Sequence, residues 1–251
     1  MSARPERLML IHGAWAGPWV WDELIPELEA LGWRAEALAL PGDGTHDISP
    51  EDATEADFHA CLTDAILAAP GNVALIGHSG GGMLVTAGAE AHPNKVSHGV
   101  WIAGMLIPDG RSFDDIQEAI ADRGKRFGVT PYVEMALNGL SSTVPPEVAM
   151  AHFFQDAPQD IAEKAAARLT PQPTSGHRLR TRTGRHFAKL PKLYILAEQD
   201  LSVVPNAQRM MAESIPNVIC AKINTGHAPQ LVAPDTLAKM IADWIETTSE
   251  M

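Results

Sequence analysis

Val73-Ala74-Leu75-Ile76-Gly77-His78-Ser79-Gly80-Gly81-Gly82-Met83-Leu84-Val85-Thr86-Ala87-Gly88-Ala89 joins a short apolar run to a helix-like segment, with Ser79 at the junction. The four leading residues predict a strand buried on both faces, and the stretch after Gly81 predicts a helix. A strand that turns at once into a helix strains the residue between them. Glycines on either side, here Gly77 and Gly81, remove side chains that would collide in so tight a turn. In this setting Gly77-His78-Ser79-Gly80-Gly81 is the pattern of a nucleophile elbow, and Ser79 Oγ is expected to stand clear of the turn. The Gly80 amide, at the start of the helix, is expected to face the point where a carbonyl oxygen would gain negative charge.

A serine hydroxyl is a weak nucleophile near neutral pH unless a base takes its proton, so such a turn calls for a histidine and an acid that orients it. Asp200 follows the apolar run Leu193-Tyr194-Ile195-Leu196-Ala197, and His227 sits in Asn224-Thr225-Gly226-His227-Ala228-Pro229 after the last such run. Each stands just past the carboxyl end of a predicted strand, where open α/β sheets place their sites. The order Ser79, Asp200, His227 is the one this architecture uses. Glu198 and Asp109 are reserve acids. The first apolar run ends in Ile11-His12-Gly13-Ala14-Trp15-Ala16-Gly17-Pro18-Trp19. A glycine-bearing loop there can bring the Ala14 amide opposite that of Gly80, making the two donors of an oxyanion hole. His12 and His78 read as scaffold residues that hold these loops.

Further apolar runs at Leu8 to His12, Ala35 to Leu40, Val96 to Ala103, Lys192 to Ala197 and Val218 to Ile223 predict strands buried on both faces. Helical segments lie between them, such as Thr54 to Ala69 behind a Thr54/Asp57 cap. Pro205 opens another, and a last one follows Pro234 and Asp235. This alternation predicts an α/β fold with a mostly parallel sheet flanked by helices. The rhythm fails between Pro108 and Lys189, where Gly, Pro and aromatic residues interrupt helical pieces at Phe113 to Arg123, Pro146 to Phe154 and Asp160 to Leu169. Residues 1–107 and 190–251 are therefore assigned to the core, and 108–189 to a helical lid inserted over the sheet.

The chain has 251 residues, enough for one large core with an insertion. It is 45% hydrophobic and 20% charged, and no apolar run approaches the roughly 18 residues of a membrane span. A net charge of −12 repels phosphate backbones, so nucleic acid is not an expected partner. The start, Met1 to Arg7, runs into an apolar stretch too short for a signal peptide, which points to a cytoplasmic protein. Cys61 and Cys220 are far apart and isolated, and the ten histidines show no metal-ligand spacing, so neither a disulfide framework, a metal nor a cofactor is expected.

Through HGAWAG at 12–17, GHSGG at 77–81, LYILAEQD at 193–200 and TGHAP at 225–229, the chain resembles the α/β-hydrolase superfamily. Within it the chain resembles the branch of plant methylesterases, hydroxynitrile lyases and bacterial salicylate or pyrethroid esterases. The resemblance implies a sheet of about eight strands, the first antiparallel, with a helical lid before the acid strand. Lyases of that branch carry a threonine where this chain has Gly13 and a lysine where it has Ala228, which favours hydrolysis here and leaves room at Gly13 for an acyl carbonyl. Dehalogenases and epoxide hydrolases place an aspartate where this chain has Ser79.

The resulting expectation is an esterase acting on a small to medium carboxylic ester through Ser79, His227 and Asp200. Two alternatives are a cofactor-free lyase or carbon-carbon bond hydrolase, and a non-catalytic small-ligand receptor. Pocket residues are expected at Gly13, Trp15, Trp101, Met105, Phe127, Tyr132, Met135, Phe153 and Phe154, with Leu137 and Leu140 nearby. The basic run His177 to His186 reads as a solvated edge. Self-association, if any, is expected as a homodimer.

Overall fold

The computed structural model describes residues 4–121 and 126–250. Arg123, the expected end of one helix, lies outside them, as do Met1 to Ala3. Among the described residues nine strands run in chain order: β1 (Arg7–Ile11), β2 (Ala35–Leu38), β3 (Val73–His78), β4 (Val96–Ile102), β5 (Glu134–Met135), β6 (Ser141–Thr143), β7 (Gln172–Pro173), β8 (Lys192–Ala197) and β9 (Val218–Ile223). Six form one all-parallel sheet in the order β2-β1-β3-β4-β8-β9. The antiparallel strand implied by the resemblance is not among the described residues.

The register decides where the chemistry can lie. Ile11 stands level with Gly77, Gly77 with Trp101, Trp101 with Tyr194 and Tyr194 with Cys220. The loops after β1, β3, β8 and β9 therefore leave the sheet at one edge. From β1 the chain steps outward to β2, then returns past β1 to β3 and proceeds the other way. The crevice at such a reversal is where open parallel sheets bind ligands.

Alternation along each strand divides the core in two. Leu8, Leu10, Ala74 and Ile76 face one side, where the helix Pro234–Glu250 packs beside Leu24–Ala30. Met9, Ile11, Leu75 and Tyr194 face the other, under the helices Gly81–Ala91 and Glu55–Ala68. The second of these begins in the expected capping box of Thr54 and Asp57. β3 and β8 are buried throughout, but β2 and β9 are edge strands, with Glu36, Ile219 and Cys220 exposed, so the expectation of two covered faces fails for both. An apolar run alone does not distinguish a central strand from an edge strand with one dry face.

Within 108–189 the helices are Phe113–Ile120, Pro146–His152, Gln159–Ala167, Thr174–His177 and Arg185–Lys189. The segment is not wholly helical, because β5, β6 and β7 form a small antiparallel sheet. Strands of two or three residues are too short to show period-two patterning in sequence. A third apolar cluster joins Val129, Ala149, Phe153, Phe154 and Ala162 to Trp15 and Ala228, so the insertion packs directly on the loops after β1 and β9.

Candidate active site

Ser79 follows β3 with φ +49°, the left-handed region that a non-glycine residue enters only under constraint. Three backbone hydrogen bonds impose it. Ser79 N–H donates to the Ile102 carbonyl (3.1 Å), and the Ser79 carbonyl accepts from the amides of Met105 (2.8 Å) and Gly82 (3.1 Å). A Cβ on Gly77 would stand 2.7 Å from the Gly81 carbonyl carbon, and one on Gly81 would collide with the carbonyls of Ile11 and His12. Both glycines are thus required by close backbone approach.

The loops after β8 and β9 bring Asp200 and His227 together. His227 Nδ1–H donates to Asp200 Oδ2 at 2.8 Å, and both side chains are buried. The other carboxylate oxygen accepts from the amides of Ser202 (2.7 Å) and Val203 (3.0 Å), and Oδ2 also accepts from Gln208 Nε2 (2.9 Å). A carboxylate so held has one orientation, and it fixes the imidazole tautomer with its lone pair on Nε2. The His227 ring lies between His78 (centroids 4.7 Å apart) and Phe153 (5.4 Å), and His78 Nε2–H donates to the His227 carbonyl at 2.7 Å. Ser79 and His227 border the same narrow cleft. The reserve acids lie elsewhere: Glu198 pairs with Lys222 (3.4 Å), and Asp109 accepts from the Thr183 amide.

Opposite the elbow, a Cβ built on Gly80 would stand 3.5 Å from the Ala14 nitrogen, and neither amide has a hydrogen-bond partner among the described residues. Two free N–H groups side by side, next to a serine, are what an oxyanion needs. Their loop is held from the insertion. Trp15, at φ +61°, donates its amide to Gln172 Oε1 (3.0 Å) and its indole N–H to Ser142 (3.2 Å). Gly13 lines both chambers beside Ser79, and a Cβ there would lie 2.7 Å from Ser79 Cβ. Gly13 thus lets the two backbones approach.

His12 is tied to Asp43 (3.3 Å), whose carboxylate also accepts from the amides of Leu40, Thr45 and His46 and from the Thr45 hydroxyl, at 2.7–2.9 Å. Burial by itself would raise the Asp43 pKa, but these hydrogen bonds outweigh it and hold the carboxyl well below the usual range. A depressed folded pKa stabilises the fold above the unfolded value, about pH 4, and that contribution disappears as pH falls towards the folded value. Asp43→Asn is expected to cost about 2 kcal/mol at neutral pH and to flatten the decline in melting temperature below about pH 4. Thermal unfolding across pH measures both effects; equal curves for the two proteins would refute this role.

Two chambers meet at Gly13, Ala14, Trp15 and Ser79. The larger, about 430 Å³, has apolar walls including Leu40, Phe58, Met83 and Met105, with His177 and Arg178 among its polar lining. The smaller, about 30 Å³, is bounded by Phe153, Phe154, Leu169, Ala228 and His227. Of the expected pocket residues, Gly13, Trp15, Met105, Met135, Phe153 and Phe154 line a chamber, whereas Trp101, Phe127 and Tyr132 do not. Trp101 is wholly buried in the core, its indole N–H donating to the Gly82 carbonyl at 2.8 Å. Phe127 packs edge-on to Phe113, and Tyr132 is half exposed beside His152. Leu137 and Leu140 face solvent. Aromatic character in an insertion therefore did not separate lining from packing.

The basic run is solvated at Arg178, Arg180, Arg182 and Arg185. His177, which opens the run, is exposed as well, and its ring also lines the large chamber beside the Trp15 ring (5.0 Å). Sequence reading also missed Gln208, Asp43 and Gln172. Nothing in the linear pattern marks a polar side chain whose partner is 8, 31 or 157 positions away.

A family model described as "Alpha/beta hydrolase family" matches residues 8–240. The chain is 26% identical to Esterase PIR7B of Oryza sativa subsp. japonica over 260 residues, covering 96% of each protein. It is 25% identical to Methylesterase 1 of Arabidopsis thaliana over 251 residues, covering 94% of each. The crystal structure of a pyrethroid hydrolase from Sphingobium faniae JZ-2 superposes with a TM-score of 0.84 at 26% identity, covering 98% of this chain and 99% of that one.

Proposed function

This chain belongs to the alpha/beta hydrolase family, and from that premise we propose that it hydrolyses carboxylic esters through Ser79, His227 and Asp200, with 108–189 as its lid. The observation that carries the reading is the Asp200–His227 hydrogen bond beside the cleft that His227 shares with Ser79, under the free amides of Ala14 and Gly80. Ser79 Oγ attacks the ester carbonyl while its proton passes to His227 Nε2. The carbonyl oxygen becomes negative between the two amides, a stabilisation of about 3 kcal/mol per donor. The carbon–oxygen bond to the alcohol then breaks, and His227 gives the proton to the departing oxygen. Water repeats the steps on the acyl-enzyme and frees Ser79.

The two chambers support an assignment of the two halves of the ester. His227 borders the small chamber and is not among the residues lining the large one. The alcohol oxygen must leave beside His227, so the alcohol occupies about 30 Å³ and the acyl group about 430 Å³. The chamber beside His227 is less than a tenth of the volume of the other, which suits a small alcohol portion such as methyl.

In a series of methyl, ethyl, isopropyl and tert-butyl esters of one acid, kcat/KM relative to alkaline hydrolysis is expected to fall at least about tenfold from methyl to isopropyl. Lengthening the acyl chain should be tolerated. A preference for the branched alcohols would reverse the assignment of the chambers. An organophosphonate should label wild-type Ser79 stoichiometrically; failure to label would remove the esterase reading itself.

A further inference from the structure

The small chamber carries polar groups that the mechanism above leaves unused. His78, 6% exposed, spends Nε2–H on the His227 carbonyl, so Nδ1 retains a lone pair, and Nδ1 has no protein partner among the described residues. Burial holds this ring neutral, driving its pKa well below the ordinary value, with the neighbouring His227 adding to the effect. Gln230 lies in the short helix Pro229–Val232 and is fully buried, yet neither its amide oxygen nor its amide nitrogen meets a protein partner. Both residues border the small chamber, whose other walls include Val20, Phe153, Phe154 and Ala228. Buried amides and ring nitrogens are rarely left unmade, and a small polar cavity supplies what they lack by holding water.

Resting on the esterase reading, we propose that His78 and Gln230 hold the water that hydrolyses the acyl-enzyme. One water matches three of these groups: the ring nitrogens of His78 and His227 and the amide nitrogen of Gln230. Water has two hydrogens and two lone pairs. One hydrogen goes to His78 Nδ1 and the other to His227 Nε2. One lone pair accepts from the Gln230 amide, leaving the other aimed at the acyl carbon. The water oxygen bonds to that carbon as its proton passes to His227. The bond from the carbon to Ser79 Oγ then breaks, Oγ takes the same proton, and the acid departs. His78 and Gln230 are positioning residues for this second half-reaction alone. The chamber holds the alcohol portion in the first half-reaction and water once the alcohol has gone.

The test separates the half-reactions with methyl acetate, whose alcohol half suits the small chamber, following methanol release by rapid quench and Ser79 acetylation by mass spectrometry. Gln230→Met fills the same space without hydrogen bonds. It is expected to keep acylation within about threefold and slow deacylation at least about tenfold, giving a burst near one equivalent and persistent acetyl-enzyme. His78→Gln, which retains a donor for the His227 carbonyl, should act in the same direction and carries the test if Gln230→Met does not fold. Methanol has one hydrogen and gains nothing from His78 when it attacks beside His227. Added deuterated methanol should therefore capture a larger share of acetyl-enzyme, as deuterated methyl acetate, in His78→Gln than in wild type. The proposal is overturned if the two steps slow together, if acylation of a methyl ester slows while deacylation does not, or if the methanol share is unchanged. Absence of acetylation at Ser79 in wild type would instead strike the esterase reading.

Discussion

Ser79→Ala is expected to lower kcat on the order of a million-fold, leaving only the catalysis that binding and the oxyanion amides supply. KM should change little, because Ser79 Oγ makes no hydrogen bond with the described protein and the chamber walls stay in place. Folding should be unaffected as well. The strained turn is fixed by backbone hydrogen bonds to Ile102, Gly82 and Met105, and alanine keeps the Cβ that Gly13 packs against. Rates on a methyl ester, melting temperatures and phosphonate labelling of both proteins give the comparison. Retention of more than about one per cent of activity would exclude Ser79 as nucleophile, since no triad serine is so dispensable.

Asp200→Asn is expected to reduce kcat about 10⁴-fold while leaving Ser79 in place. The hydrogen bonds state why. The amides of Ser202 and Val203 require an acceptor at Oδ1, so the carbonyl of an introduced asparagine takes that place. Its NH₂ group then stands where Oδ2 accepted from His227 and Gln208. There it donates to His227 Nδ1, which puts the imidazole hydrogen on Nε2 and removes the lone pair needed to take a proton from Ser79. It also opposes the Gln208 donor, so a loss of thermal stability is expected alongside the loss of rate. Glu198→Gln is the control, because Glu198 is engaged with Lys222 and its rate should match wild type. A slow Glu198→Gln with a fast Asp200→Asn would exchange the roles of the two acids.

Both outcomes rest on residues that the sequence had already singled out, and the reason is local. Ser79, Asp200 and His227 each sit within a few residues of a strand end, and strand ends are legible because buried apolar runs stop abruptly at glycine, proline and polar residues. The parallel register then brings those ends to one edge without further information. Residues 108–189 resisted the same reading. Their three strands are too short for periodicity, and Trp101, Phe127 and Tyr132 resembled pocket residues by type alone.

The sequence by itself determined the order of strands and helices in the central sheet, the strained serine turn and the candidate acid and base, since each is encoded by neighbours along the chain. Only the tertiary structure decided that Gln208 clamps Asp200, that Trp15 is anchored by Ser142 and Gln172, and that two unequal chambers meet at Ser79. Those features are made by side chains distant in sequence, whose burial and orientation exist only once the sheet, its loops and residues 108–189 have packed together.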